Sequence, residues 1–585
     1  MSLSSNLMTT ALLVPALKTV SMYLALCIVV LLLLLILNPE RILQEWKLRH
    51  IPGHNPNILL GHLPTLIKYG SPNLYMKLSR DIGSVFKVWW GRLAFVVITD
   101  PEIIRSVGYK CMDRITVFGA LLEGDLKKAN DEGLVVVKER SWRTLHRAWQ
   151  PAFHPSTLSG YLGLMDQCAR DVVKLVLEQA EQQGEGRVDI HSELGKMTMQ
   201  VVGTCAYGVD FKALVSDQKL SELLSKAKQP DFKNRNTILA QDFVGPTLTD
   251  ASRKVFRSGS IANGSKWMRI NVLLPEVSFL VKPLAFLFPD KPMKEQLKAR
   301  FDLYSATSHL ISSWKSDQAA AAISTGTSCD PPSKCGDPPS TGLEHQVLKG
   351  VNGGVAPGSF LGLMLAARDK ETGDKLTDIQ IIAQAQTFIL AGYETTANAL
   401  AFAIYLVSTH PEVQAKLLHE IDTQLAALGG PDIPLTEEAL IKFEYTSAVI
   451  NESLRLHPPA HVTPRSAVEN LQLGQYSVPK GTPILISIMA LHKDPALWED
   501  PEAFKPERFM PGSNSVKPNA FIPFGVGGRM CIGYKFALQE AKVALIRMYS
   551  ALTFALEPGQ VPLQISYGIT AGPKHGVWVR PLPRR

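Results

Sequence analysis

The chain of 585 residues is 46% hydrophobic, enough to bury one very large core or a few ordinary ones, which excludes a disordered or fibrous protein. Its 61 basic residues against 53 acidic ones leave a charge of +8, too dilute over so much surface for a nucleic-acid binder, so no DNA or RNA role is expected. The seven cysteines show no paired spacing and read as reduced thiols; Cys329 and Cys335 lack the spacing and second pair of a zinc site.

Residues 1–20 carry one charge, Lys18, and precede an uncharged run, "SMYLALCIVVLLLLLIL", from Ser21 to Leu37. This run lies at the short end of the roughly 17 to 25 residues that cross a bilayer. Arg41, Lys47, Arg49 and His50 follow it, so the positive-inside rule places the remaining chain in the cytosol behind an uncleaved anchor at 21–38. Residues 1–20 are then the non-cytosolic segment. An endoplasmic reticulum membrane is the expected location; the hydroxyl-rich, acid-free start "MSLSSNLMTT" keeps a plastid membrane as the alternative.

Residues 39–60 read as a Pro/Gly hinge, and 61–585 as a single large, mostly α domain with small β-sheets. The Ala/Ser/Gly/Pro-rich stretch 316–359 reads as a disordered insertion between helices of that domain. Ile270 to Pro289 is apolar and broken by prolines, either a buried helix pair or a surface that enters a membrane. Asn263-Gly264-Ser265 is a glycosylation sequon, which the expected topology hides from the lumen.

Thr377 to Thr409 is apolar nearly all round, opens with Thr377 and Gln380 at capping-box spacing and stops before Pro411. At about 1.5 Å per residue it spans about 50 Å, enough to cross the middle of a globule. Its centre, "AGYETTA", holds Glu394 and Thr395. These are either a threonine-softened kink with a structural acid or a polar notch where ligand and water meet the helix. The next strong helix, Tyr445 to Leu456, carries Glu452 and Arg455 at i, i+3 on one face. Arg508 in "FKPERF" could complete a Glu-Arg-Arg cluster that locks the segment after it.

That segment is "FGVGGRMCIG", Phe524 to Gly533. Gly527 and Gly528 permit backbone geometry closed to other residues, and an amphipathic helix follows from Gly533 to Ser550. Cys531 thus sits in a turn ahead of a helix N-terminus, where free amides and Arg529 favour a thiolate; the other reading is a small buried hydrophobe. No C-x-x-C-H for covalent haem occurs, and a phosphate-binding G-x-G-x-x-G would need glycine at Met530.

The loop resembles the F-x-x-G-x-R-x-C-x-G signature of the cytochrome P450 monooxygenases at Phe524, Gly527, Arg529, Cys531 and Gly533. "AGYETTA", the E-x-x-R of Glu452 and Arg455, and "PERF" follow the same family in order, from about Pro52 to the C-terminus. The resemblance implies the cytochrome P450 fold and a haem b whose iron takes Cys531 as axial thiolate, the one metal ligand from the protein. It implies Phe524 beside the sulfur, Arg529 facing a haem propionate, and Glu394 with Thr395 delivering protons to the reacting oxygen. Ala391 and Gly392 would leave room above the ring. "SWRTLHRAWQ" resembles the family's W-x-x-x-R helix through Trp142, but His146 stands where arginine is usual and Arg147 lies one step on, which leaves both open as propionate contacts. Arg465 in "HVTPRSA" matches a further propionate contact. Glu452, Arg455 and Arg508 would form the structural lock.

The family implies dioxygen and NADPH as co-substrates, with electrons passing through an acidic flavoprotein reductase that Lys138, Arg140, Arg143 and Arg147 would attract. The substrate is expected to be a small lipophilic molecule. "GHLPTLIKYG", "QPAFHPSTL" and "FALQEAKVALIRMYS" resemble the branch holding thromboxane synthase and the plant carlactone oxidases, although Glu394 stands where those relatives tend to lack the acid. An apocarotenoid such as carlactone, a fatty acid and a sterol are the substrate candidates. A peroxide-rearranging isomerase and a non-catalytic haem sensor are the alternatives on the same fold; the Glu394-Thr395 pair argues against both.

Overall fold

The structure is a computed structural model that describes residues 39–57, 60–114, 121–182, 186–227, 241–259, 264–273, 278–325, 359–367, 373 and 375–584, with isolated positions between 21 and 29. The elements that shape the site begin with helix α1 (Pro39–Lys47), strands β1 (Val85–Trp90) and β2 (Leu93–Ile98), α2 (Pro101–Lys110), α3 (Glu139–Trp149), β3 (Val188–Asp189) and α4 (Ile190–Tyr207). They continue through α5 (Ser278–Leu287), α6 (Lys291–Thr325), α7 (Asp378–Ser408), α8 (Glu444–Leu456), β4 (Val462–Ser466) and β5 (Pro483–Ser487). The chain ends with α9 (Tyr534–Ala551), β6 (Leu552–Leu556), β7 (Ile565–Tyr567), β8 (Ala571–Pro573) and β9 (Trp578–Pro583). Helices dominate and the sheets are small, as the sequence predicts.

The main sheet has the order β1-β2-β5-β4: β2 pairs with β1 antiparallel and with β5 parallel, and β4 closes the edge antiparallel to β5. Every residue of β5 is buried, which explains its apolar run from Pro483 to Ile486. A smaller sheet runs β3-β9-β6, and β7 with β8 forms a hairpin.

Helix α7 is 31 residues long and starts with the predicted capping box, in which Thr377 and Gln380 exchange side-chain and backbone bonds. It carries most of its residues into the largest apolar cluster, which also takes in α4 and α9. Gly392 lies where α7 meets α4: a β-carbon there would sit 2.5 Å from Val202 Cγ2, so this glycine serves close helix packing.

Two boundaries differ from the sequence reading. The stretch 39–60 is no free hinge, because 39–47 is helical and Leu48 and Ile51, 2% and 1% exposed, join an apolar cluster with Trp89, Val96 and Ile486. The Lys87 N–H donates to the Pro52 carbonyl at 2.8 Å, so burial of two large aliphatic side chains docks a segment that prolines only keep extended. In the stretch 316–359, residues 316–325 continue α6, consistent with the high helix propensity of "AAAA", and Ser359 caps the helix Phe360–Ala366. Residues 326–358 lie outside the described residues, as do Cys329, Cys335, Asn263 and most of 21–38. Among the described residues no helix is long and apolar enough to cross a membrane.

Candidate active site

The loop from Phe524 to Gly533 is shaped by close backbone packing. Gly527 has φ +73°, and a β-carbon there would lie 2.0 Å from the Gly108 carbonyl oxygen at the end of α2. Only glycine admits this approach. The Cys531 N–H donates to the Phe524 carbonyl at 2.9 Å, closing the loop, and α9 starts at Tyr534. Cys531 is exposed, yet the protein around its sulfur is dense enough that burial pushes the thiol up; the Gly533 N–H and Arg114 pull it down. The helix-side amide acts as expected. The helping cation is Arg114, which the sequence reading did not single out.

Arg529 is turned elsewhere. Its guanidinium donates to the carbonyls of Met112 (2.7 Å), Leu134 (3.1 Å) and Val137 (2.6 Å) and lies 4.8 Å from the ring centroid of Trp142. The Arg529 carbonyl in turn accepts from Arg114 at 2.9 Å. Arg465, fully buried on β4, donates through Nη1 to Thr463 and to the Pro464 carbonyl, both at 2.9 Å. Its Nε and Nη2 are buried with no hydrogen-bond partner, and so is Nε of Arg114. Burial, with Arg114 and Arg529 close by, lowers Arg465 to about 9; burial lowers Arg114 and Arg529 to about 10. Three guanidinium groups thus crowd together and repel one another, and the orphaned buried nitrogens of Arg465 and Arg114 are ones that an anion would satisfy.

On α3, His146 stacks against Trp142 with ring centroids 4.5 Å apart, and burial together with Arg529 lowers its pKa. Arg147, one step further round the helix, is exposed. The helical period therefore puts His146, and not Arg147, on the Trp142 and Arg529 side. Phe524 is partly buried against Tyr534, centroids 6.1 Å apart.

Beyond its first turn, α7 is most open at its centre: Ala391 is exposed and Gly392 to Thr395 are half-buried, ahead of the buried Thr396 to Asn398. The Thr395 hydroxyl donates to the Ala391 carbonyl at 2.6 Å. Burial raises the Glu394 carboxyl to about 7, opposed by hydrogen bonding from Thr570, and its Oε2 is buried without a partner. The helix thus combines a threonine back-bond with a polar notch.

Glu452 and Arg455, both 0% exposed, meet side by side: Arg455 Nε and Nη2 donate to the two carboxylate oxygens at 2.8 Å each. Arg508 Nε adds a bond at 3.3 Å and the Lys505 N–H one at 3.0 Å. Arg455 also holds the carbonyls of His492, Pro501 and Ala503. The imidazole of His492 accepts from the Ile522 N–H at 2.9 Å, so the cluster connects through one residue to the start of the cysteine loop.

The cytochrome P450 family model matches residues 51–258 and 349–578. Cytochrome P450 3A13 of Mus musculus is 30% identical over 533 residues, 88% of each chain. Cytochrome P450 3A6 of Oryctolagus cuniculus is 28% identical with 89% of each chain covered. Cytochrome P450 3A27 of Oncorhynchus mykiss is 27% identical over 547 residues, 92% of this chain and 90% of the relative. These matches do not carry the finer resemblance to thromboxane synthase and the carlactone oxidases. A match over both halves of the chain, on a loop that presents a lone cysteine beside an arginine socket, shows that the chain belongs to the cytochrome P450 family and is a haem monooxygenase.

Proposed function

We propose that Cys531 would supply a thiolate to the iron of a haem b, that Arg114, Arg465, Arg529, Trp142 and His146 would hold its propionates, and that Glu394 and Thr395 would manage protons where substrate and dioxygen react. The observation that carries this reading is the orphaned nitrogens of Arg465 and Arg114 beside an exposed cysteine. A porphyrin brings two carboxylates, which suit these cations, and an iron that suits the thiolate. When bound, the haem supplies dioxygen activation. Arg114 and the Gly533 N–H would stabilise the thiolate, and Phe524 would shield it from water. Glu394, protonated up to about pH 7, holds a proton at the notch, and Thr395 lies next to it with lone pairs to accept one.

Electrons would come from NADPH through a flavoprotein reductase. Lys138, Arg140, Arg143 and Arg147 are exposed on or beside α3, although Glu139 pairs with Arg143 and offsets its charge. The segment 21–38 would anchor the chain in the endoplasmic reticulum membrane, or in a plastid membrane. Helix α5 favours the membrane-entering reading of 270–289, with Phe279, Leu287 and Phe288 exposed by 70%, 70% and 60%. The substrate would be a small lipophilic molecule, an apocarotenoid such as carlactone being the candidate the sequence branch favours, beside a fatty acid or a sterol.

Thr395→Ala tests the proton reading. Substrate affinity should be unchanged while a several-fold larger share of NADPH electrons ends as hydrogen peroxide, measured by product and peroxide yields; unchanged coupling would reduce Thr395 to a helix kink. The sign of the pH effect follows from Glu394: its proton is present below about 7 and lost as pH rises through that value. The peroxide share should therefore climb through that range in the native enzyme and stay flat in Glu394→Gln.

A further inference from the structure

Helix α4 clasps α7 at the two residues ahead of Glu394. On α4, Gly195, Thr198 and Val202 fall at i, i+3 and i+7, one face of the helix. A β-carbon at Gly195 would sit 3.3 Å from Cε2 of the Tyr393 ring, and one at Gly392 would sit 2.5 Å from Val202 Cγ2. Phe256, on the helix Gln241–Gly259, meets the same tyrosine ring with centroids 6.2 Å apart. Between the contacts of Gly195 and Val202, the Thr198 hydroxyl donates to the Tyr393 carbonyl at 2.9 Å.

Thr198 is fully buried, and its hydroxyl has one proton to give. The alternative acceptor is the Gly195 carbonyl of its own helix, at 3.3 Å. The bond across to α7 is the shorter, so the proton goes to the partner helix. Residues two apart sit about 200° apart around a helix. Thr395 therefore holds the Ala391 carbonyl on the open side, at 2.6 Å, and Thr198 holds the Tyr393 carbonyl on the α4 side. Hydroxyls on both flanks tilt carbonyls out of the helical ladder within the same turn that carries Glu394.

We infer that Thr198 is a positioning residue for the reaction: by holding the Tyr393 carbonyl it fixes the rotation of α7 at the notch, and with it the direction in which Glu394 and Thr395 are presented. The inference rests on the proton role proposed above for those two residues. Helix α7 is continuous through this region, so turning Tyr393 about the axis turns the next two residues with it. Packing alone leaves that rotation soft. Val202 meets a residue without a side chain, the Tyr393 ring can slide over Gly195, and apolar contact has no preferred direction. A hydrogen bond defines an angle as well as a distance, and Thr198 supplies it.

The test uses the full-length, haem-loaded enzyme with Thr198→Val, which removes the donor at nearly constant shape, and Thr198→Ser, which keeps it. Two quantities are read. One is the share of NADPH electrons that ends as hydrogen peroxide, with whichever of carlactone, a fatty acid and a sterol the native enzyme turns over; the other is amide hydrogen exchange along α7. In Thr198→Val the peroxide share should rise several-fold at unchanged substrate affinity. Exchange at residues 393–397 should quicken roughly threefold to tenfold, as the loss of one hydrogen bond allows, while residues 400–407 keep the native rate. Thr198→Ser should restore both. If Thr198→Val couples like the native enzyme while Thr395→Ala does not, the inference is overturned and the proton reading stands. If neither variant uncouples, the proton reading falls and takes the inference with it. Uncoupling that serine does not restore, or faster exchange along the whole helix, also overturns the inference, since either marks a general loss of packing.

Discussion

Glu452→Ala should destabilise the protein by about 3 to 5 kcal/mol and yield chains largely free of haem. The carboxylate is fully buried and accepts from Arg455 twice, from Arg508 and from the Lys505 N–H. Its removal leaves two buried guanidinium groups without their counter-charge, and that uncompensated burial dominates the cost. The consequence reaches the haem side because Arg455 holds the His492 carbonyl and His492 accepts from Ile522, two residues ahead of Phe524. Glu452→Gln keeps the shape and one acceptor, so its loss should be smaller. Denaturant unfolding and the haem-to-protein ratio measure both effects, and an unfolding free energy within about 1 kcal/mol of the native value would contradict the account.

Arg465→Met should have opposite effects on the two forms of the protein. In the haem-free chain Arg465 is a buried charge with two orphaned nitrogens, crowded by Arg114 and Arg529, so an apolar side chain of similar length should raise the melting temperature. In the loaded protein the same change removes a charged hydrogen-bond donor from a carboxylate, and haem release should quicken roughly tenfold to hundredfold. Haem transfer to a scavenging apoprotein, beside thermal unfolding of both forms, reads this out. Destabilisation of both forms alike would mean that Arg465 is a structural residue and not part of the anion socket.

Local signals were the legible part of this chain. The capping box set the start of α7, Pro411 its end, and the i, i+3 spacing put Glu452 and Arg455 on one face, where the structure pairs them. Arg508 was legible only as a charge on a loop some fifty residues on, and the structure brings it to Glu452. The illegible parts all depend on contacts between distant segments. Leu48 and Ile51 looked like hinge residues because the sheet that buries them is built from residues 85–98 and 462–487. Arg114 sits at the end of "CMDR", and a lone arginine gives no sign of burial; its place became visible only through Arg529 and Cys531. Choosing between His146 and Arg147 needed the helix phase, which Trp142 sets once α3 is seen to pack. Thr198 and Tyr393 come from α4 and α7, and no local pattern predicts that they meet.

The most direct test of the central claim is the absorption spectrum of the reduced, carbon-monoxide-bound protein, recorded for the native chain and for Cys531→Ala. With Cys531 as the axial ligand, the native protein should show the thiolate-type band and the variant should lose it entirely, whether or not haem is retained. Persistence of that band in Cys531→Ala would contradict the assignment and with it the orientation of the whole site.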